Sequence, residues 1–72
     1  MITLISNGPS WNVISGSVSN WFYSIEYAAD FMVDTYSILD DELDDAICQM
    51  VALGHTKIIF DANGRLLRTE AL

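Results

Sequence analysis

Residues 24–54 constrain the fold most, because apolar side chains recur there at helical spacing in two successive stretches. The first stretch repeats Ile25, Ala28, Ala29, Met32 and Tyr36, with Phe31 and Val33 widening the apolar face. The second repeats Leu43, Ala46, Ile47, Met50 and Val51. Ser24 is suited to cap the first helix, which we expect to fray over residues 35–39. We expect Asp40 or Asp41 to cap the second helix and Gly54 to end it.

The same segment carries eight acidic side chains and no basic one. The acidic residues are Glu26, Asp30, Asp34, Asp40, Asp41, Glu42, Asp44 and Asp45. All three basic residues of the chain, Lys57, Arg65 and Arg68, follow the second helix. Surface helices usually mix both signs, because like charges four residues apart repel each other by a few tenths of a kcal/mol. The pattern therefore predicts two amphipathic helices with a polyanionic outer face.

Short β-branched and aromatic runs on either side of the helices predict five strands, at residues 1–6, 11–15, 18–23, 57–60 and 65–69. Turn residues separate the first three strands, which predicts an antiparallel meander. Asp61 and Gly64 frame a type I turn that predicts a hairpin between the last two strands. The order β-β-β-α-α-β-β indicates an α+β fold, a small antiparallel sheet with both helices packed on one face.

A chain of 72 residues makes a single domain with a small core. Its hydrophobic fraction of 51% argues against intrinsic disorder. Eight aromatic residues are more than such a core accommodates, so we expect some of them at a homodimer contact or on a partner-facing surface. They are Trp11, Trp21, Phe22, Tyr23, Tyr27, Phe31, Tyr36 and Phe60.

The net charge of −7 excludes two classes of partner. Direct binding of nucleic acid and binding to an anionic membrane both require clustered Lys and Arg. Basic protein surfaces are the attractive partners, and such association would depend on salt. A single cysteine, Cys48, forms no internal disulfide, and no signal-peptide or membrane-spanning pattern is present. These features predict a soluble protein of the cytoplasm.

Three patterns suggest chemistry, and each has a more ordinary interpretation. Cys48 and His55 could form a nucleophilic pair, but no motif surrounds them, and a buried structural Cys with a surface His is more common. The acidic run at residues 40–45 lacks the glycine and the spacing of a calcium loop. Aromatics at residues 11 and 21–23 could stack on bases, but they have no neighbouring cations. We therefore expect no catalytic residue, metal or cofactor.

The acidic face itself is the candidate site. Carboxylates along a helix can take the place of phosphates in an Arg- and Lys-rich channel. The residues we expect to bind a partner are Glu26, Asp30, Asp34, Asp41, Glu42 and Asp45. The alternative is that the acids only keep a hydrophobic small protein in solution.

Two resemblances follow from these residues. The segments Trp11–Val13 and Ile58–Leu66, with the paired alanines 28 and 29, resemble a family of small β-β-α-β domains, from which the second acidic helix departs. In size, acidity and make-up the chain also resembles phage-encoded anti-CRISPR proteins. That resemblance implies a non-enzymatic inhibitor of a host nucleic-acid-binding complex, located in the cytoplasm of the host cell. The alternative is a small structural or regulatory subunit that forms a homodimer through an aromatic sheet face.

Overall fold

The computed structural model describes residues 1–71 and contains five strands and two helices. In chain order they are β1 (Ile2–Asn7), β2 (Ser10–Ser15), β3 (Val18–Phe22), α1 (Ile25–Tyr36), α2 (Asp40–Leu53), β4 (Lys57–Phe60) and β5 (Leu66–Glu70). The predicted α+β order β-β-β-α-α-β-β is confirmed, with strand boundaries shifted by one residue in places.

The strands form one antiparallel sheet in the order β3-β2-β1-β4-β5. Tight turns join β1 to β2 and β2 to β3, so the predicted meander is confirmed. The hairpin of β4 and β5 is also confirmed. The central strand β1 joins the two units, because it pairs with β2 on one side and with β4 on the other. In the second pairing Ile2 lies opposite Phe60 and Leu4 opposite Ile58.

One face of the sheet, the covered face, carries the core. Side chains alternate along a strand, so Ile2, Leu4, Val13, Ile58 and Phe60 all point to the same side. All five are buried in one cluster with helical residues. The helical members of that cluster are Ala28, Met32, Leu43, Ala46 and Met50, joined by Ile38 from the connection between the helices. Helix α1 lies over β2 and β3, and α2 lies over β4 and β5.

The opposite side of the sheet, the open face, carries a second apolar set. Ile5, Ile14 and Ile59 alternate with the covered residues and stand outside the core cluster. Both helices occupy the covered side, and no other element within residues 1–71 lies over the open face. Ile59 is nevertheless only 4% exposed. Its lateral neighbours are Thr3 and Arg68, whose side chains flank it on the adjacent strands.

The helix ends match the sequence expectations in part. The hydroxyl of Ser24 accepts a hydrogen bond from the backbone N–H of Glu26, so the predicted cap is confirmed. Gly54 adopts a left-handed conformation at φ 68°, also as predicted. The prediction that Asp40 or Asp41 caps α2 is wrong. Leu39 occupies the cap position without a side-chain bond, and both aspartates lie inside the first turn.

The connection between the helices packs directly against the β4–β5 turn. Helix α1 ends cleanly at Ser37, which is left-handed at φ 57° and donates its N–H to Val33. A side chain on Gly64, itself at φ 80°, would place its first carbon 2.8 Å from the Ser37 carbonyl oxygen. Asp61 shapes this turn by accepting bonds from the N–H groups of Asn63 and Arg65. The turn therefore approaches the inter-helix connection backbone to backbone.

Candidate functional site: an acidic helix layer

The sides of α1 and α2 that point away from the sheet form a layer of carboxylates, here called the acidic helix layer. Its exposed members are Glu26, Asp30, Asp34, Asp40, Asp41, Asp44 and Asp45. Each helix buries one apolar side against the covered face, so the acidic residues on its other sides point outward. The amphipathic spacing that predicted the helices is thus what places the acids in one layer.

On α1 the acids form a ridge beside an exposed aromatic ring. Glu26, Asp30 and Asp34 follow each other at four-residue intervals and share one side of the helix. Tyr27 precedes Asp30 by three residues, and 70% of its surface is exposed. A tyrosine beside carboxylates offers a rigid apolar contact next to charge, which is typical of protein interfaces. The sequence singled out the acids but not Tyr27.

On α2 the predicted residues divide into two kinds. Asp41 and Asp45 are exposed and lie one turn apart. Glu42 is half-buried, and its Oε2 accepts a hydrogen bond of 3.2 Å from the backbone N–H of Leu66. It therefore anchors the start of α2 to the start of β5. Val51, which the periodicity assigned to the apolar face, is 72% exposed, so that assignment is wrong.

None of the helical carboxylates forms an ion pair with a cation in residues 1–71. The cations Lys57 and Arg68 instead meet Glu70 on the open face, where Lys57 Nζ lies 3.8 Å from Glu70 Oε1. The hydrogen bond from Arg68 is the main reason that the pKa of Glu70 falls below its ordinary value of 4.5. Charge compensation is thus confined to the other side of the sheet.

The helix dipole accounts for some of the acids and not for others. Glu26, Asp40 and Asp41 lie in first turns, where the positive end of the dipole favours a carboxylate. Asp34 lies in the last turn of α1, where the negative end disfavours one. Asp30 and Asp45 lie in helix interiors and gain little from either end. These last three aspartates therefore have no local structural reason to be acidic.

The residues considered for chemistry do not come together. Cys48 is exposed on α2, so the expectation of a buried structural cysteine is wrong. His55 is half-buried, and its Nδ1 lies 2.8 Å from the Thr69 hydroxyl rather than near the thiol. Within residues 1–71 there is no pocket and no group of three metal-ligating side chains. No described helix is long and apolar enough to cross a membrane.

The aromatic residues are divided between the two sides of the sheet. Trp11 and Phe22 pack against the core, and the Phe22 ring centroid lies 5.1 Å from that of Phe31. Trp21 points to the open face and is 58% exposed. Tyr23, in the β3–α1 connection, is exposed as well. The expected aromatic sheet face is therefore wrong as a single surface, because strand alternation separates neighbouring rings.

No family model, curated protein or solved structure matches this chain. The resemblance to anti-CRISPR proteins accordingly rests on size, charge and helix-plus-sheet make-up alone.

Proposed function

We propose that this protein is a non-enzymatic inhibitor that binds a basic, nucleic-acid-binding surface of a host defence complex, as anti-CRISPR proteins do. The acidic helix layer is the binding surface, and its carboxylates occupy cationic sites that otherwise hold phosphates. The proposed contacts are Asp30, Asp34, Asp41 and Asp45, with Glu26 at the start of the ridge. Glu42 contributes by fixing the orientation of α2 through Leu66.

The observation that carries this proposal is that no helical acid forms an ion pair with a cation in the described part of the chain. Seven exposed carboxylates in one layer repel each other, and this repulsion opposes folding. A basic partner removes the repulsion on binding. The free energy lost in the free protein is then recovered in the complex, and the charge also steers the encounter.

Solubility alone explains the charge less well. An acid that serves solubility can stand at any exposed position, and first turns are the stabilising choice. Asp34 occupies the least favourable end of α1, and Asp30 lies between it and Glu26 on the same ridge. A selected contact surface accounts for this placement, whereas the stability of α1 on its own does not.

The test compares charge removal with a matched neutral change. The purified protein is used to capture its target from a bacterial host lysate at low and high salt. In a second assay, the protein and nucleic acid compete for binding to the captured target. We expect the triple variant Asp30→Asn, Asp34→Asn, Asp45→Asn to lose about 10- to 100-fold in affinity and to show a shallower salt dependence. The control, Thr35→Ala with Gln49→Ala, changes exposed helical positions without changing charge and should bind as the parent does. Unchanged affinity and salt dependence in the triple variant would overturn the proposal.

A Tyr27→Ala variant in the same assay distinguishes the apolar contribution to affinity from the contribution of charge. Because its ring carries no charge, Tyr27→Ala should lower affinity by a similar factor at both salt concentrations and leave the salt dependence intact. A loss of affinity seen only at low salt would contradict the role assigned to this ring.

A second candidate function is supported by the uncovered apolar side of the sheet. A small structural or regulatory subunit that forms a homodimer would use that surface, with the acids serving solubility. The surface differs from the aromatic one expected from the sequence, since Trp21 is its one aromatic residue among the described strands.

A further inference from the structure

The open face consists of two rows of side chains that run across all five strands. One row contains Ser19, Ile14, Thr3, Ile59 and Arg68, from β3 to β5. The other contains Trp21, Asn12, Ile5, Lys57 and Glu70 in the same order. Ile5 is a diagonal neighbour of both Ile14 and Ile59, so the three isoleucines form a continuous apolar centre. Ile59 is buried within it, and Ile5 and Ile14 provide its accessible surface.

The charges of this face differ from those of the rest of the molecule. The two rows contain three charged residues, Lys57, Arg68 and Glu70. The open face therefore has a net charge of +1, whereas the whole chain has a net charge of −7. All three lie at the β4–β5 end, while the β2–β3 end is uncharged. This face is therefore the side on which two copies of the chain can approach without bringing their acids together.

We propose that the open face binds a second copy of this chain face to face, in a two-fold symmetric sandwich of two sheets. In a two-fold interface, the same patch meets itself in reverse. Ile5 and Ile14 of the two copies can then contact each other, and Glu70 of each copy can approach Lys57 or Arg68 of the other. The acidic helix layers lie on the two outer sides of such a dimer, so the interface leaves the proposed inhibitor surface free.

The size of the face sets the expected strength. Five strands about 4.8 Å apart, each with a rise of about 3.3 Å per residue, give a footprint on the order of 400 Å² per copy. Two such footprints lie below the usual range for stable complexes, which begins at about 1,200 Å² in total. We therefore expect a weak dimer whose population depends on concentration in the micromolar range.

Pairing through the sheet edge is the competing geometry. β3 is an edge strand without a charged residue, and uncharged edges invite further pairing. However, α1 lies over β2 and β3, so joining two β3 edges would bring two ridges of Glu26, Asp30 and Asp34 towards each other. The resulting repulsion favours the face over the edge.

The test is sedimentation equilibrium of the full chain from low to high micromolar concentration. The parent should move from the 8.0 kDa protomer to twice that mass. Ile14→Glu and, separately, Thr3→Glu place a charge in the centre of the open face and should raise the dissociation constant at least about tenfold. The control Val51→Glu adds the same charge at an exposed position of α2 and should dimerise like the parent. Circular dichroism establishes that each variant is folded.

Fluorescence locates the contact independently of mass. In a Trp11→Phe background, Trp21 is the remaining tryptophan. Its quenching by acrylamide should decrease as concentration rises, because the open face becomes covered. A strict monomer at high micromolar concentration would overturn the proposal. So would a dimer that survives both open-face variants and is lost in Val18→Glu, since that result would assign it to the β3 edge. Neither outcome affects the acidic helix layer, so this proposal and the proposed function can fail separately.

Discussion

The covered and open faces are built from the same strands and differ only in what lies against them. Ile58 and Ile59 are consecutive residues of β4, yet Ile58 is in the core cluster and Ile59 is not. On the covered side, two helices bury the apolar side chains. On the open side, neighbouring side chains of the sheet give partial cover, and Ile5 and Ile14 remain half-buried.

This difference distinguishes the face that stabilises the fold from the faces that remain exposed to solvent. The covered face supplies the core, and the helices that cover it turn their acids outward. The open face adds less to folding and retains apolar surface with both signs of charge at one end. The two outer layers of the molecule therefore differ in chemistry: the helical layer is acidic, and the open face is apolar with both signs of charge at one end.

The largest expected effect is on the matched isoleucines of β4. Ile58→Ala leaves a cavity among fully buried side chains and should lower the free energy of unfolding by about 3–4 kcal/mol. Ile59→Ala removes the same atoms beneath thin cover, where water and neighbouring side chains fill the space, and should cost about 1–2 kcal/mol. Urea denaturation at low protein concentration measures both. Equal losses would show that the two faces are equally well packed. If Ile58→Ala does not fold, Ile→Val at the same two positions repeats the comparison at a smaller scale.

Gly64 tests how the helix connection is held on the covered side. Gly64→Ala should cost about 2–3 kcal/mol, because the new methyl group combines a positive φ with a clash against the Ser37 carbonyl. Gly16→Ala is the matched control, since its φ is also positive but no atom lies within 4 Å of the added carbon. It should cost about 1 kcal/mol. Thermal unfolding of the two variants isolates the steric part, and identical losses would mean that the connection moves aside freely.

Glu42 and Asp44 test whether the acids of α2 are equivalent. Glu42→Gln weakens the hydrogen bond to the Leu66 N–H and should lower stability by about 1 kcal/mol, although it also removes a negative charge. Asp44→Asn removes the same charge from an exposed position without such a bond, and its effect should lie within about 0.5 kcal/mol of zero. Chemical denaturation separates the two. A stabilising effect of both substitutions would show that repulsion outweighs the bond.

The smallest expected effect concerns the ion cluster of the open face. The pKa of Glu70 is lowered, chiefly by its hydrogen bond with Arg68. Its contribution to stability is therefore complete above the ordinary value of 4.5 and is lost as pH falls through the lower pKa of the folded state. Glu70→Gln should therefore flatten the acid side of the stability–pH curve: the variant should be slightly less stable than the parent at neutral pH and equal to it below that window. Parallel curves for the two proteins would remove Glu70 from the acid response.

Local patterns account for most of what the sequence predicted correctly. The Ser24 cap, the Gly54 helix end and the Asp61–Gly64 turn each depend on a few adjacent residues, and each is present. The alternation within strands also made the hairpins predictable. The covering of one face followed from two amphipathic helices next to one another in the chain.

The features that could not be predicted from the sequence depend on contacts between residues far apart in the chain. The pairing of β1 with β4 places Ile2 opposite Phe60, and no local signal specifies that register. The bond from Leu66 to Glu42 crosses from strand to helix, so Glu42 looked like any other surface acid. For the candidate site, composition and spacing were enough to locate the acids, whereas the exposure of Tyr27 could be seen only in the folded structure.

The position of β1 has a consequence for the time course of folding. The β1–β2–β3 meander closes through short turns and can form early, whereas β1 meets β4 only after a long loop has closed. Until then, one edge of an apolar strand stays unpaired in the partly folded chain. We therefore expect docking of β4 to be the slow, concentration-sensitive step, at which intermolecular strand pairing competes with completion of the sheet.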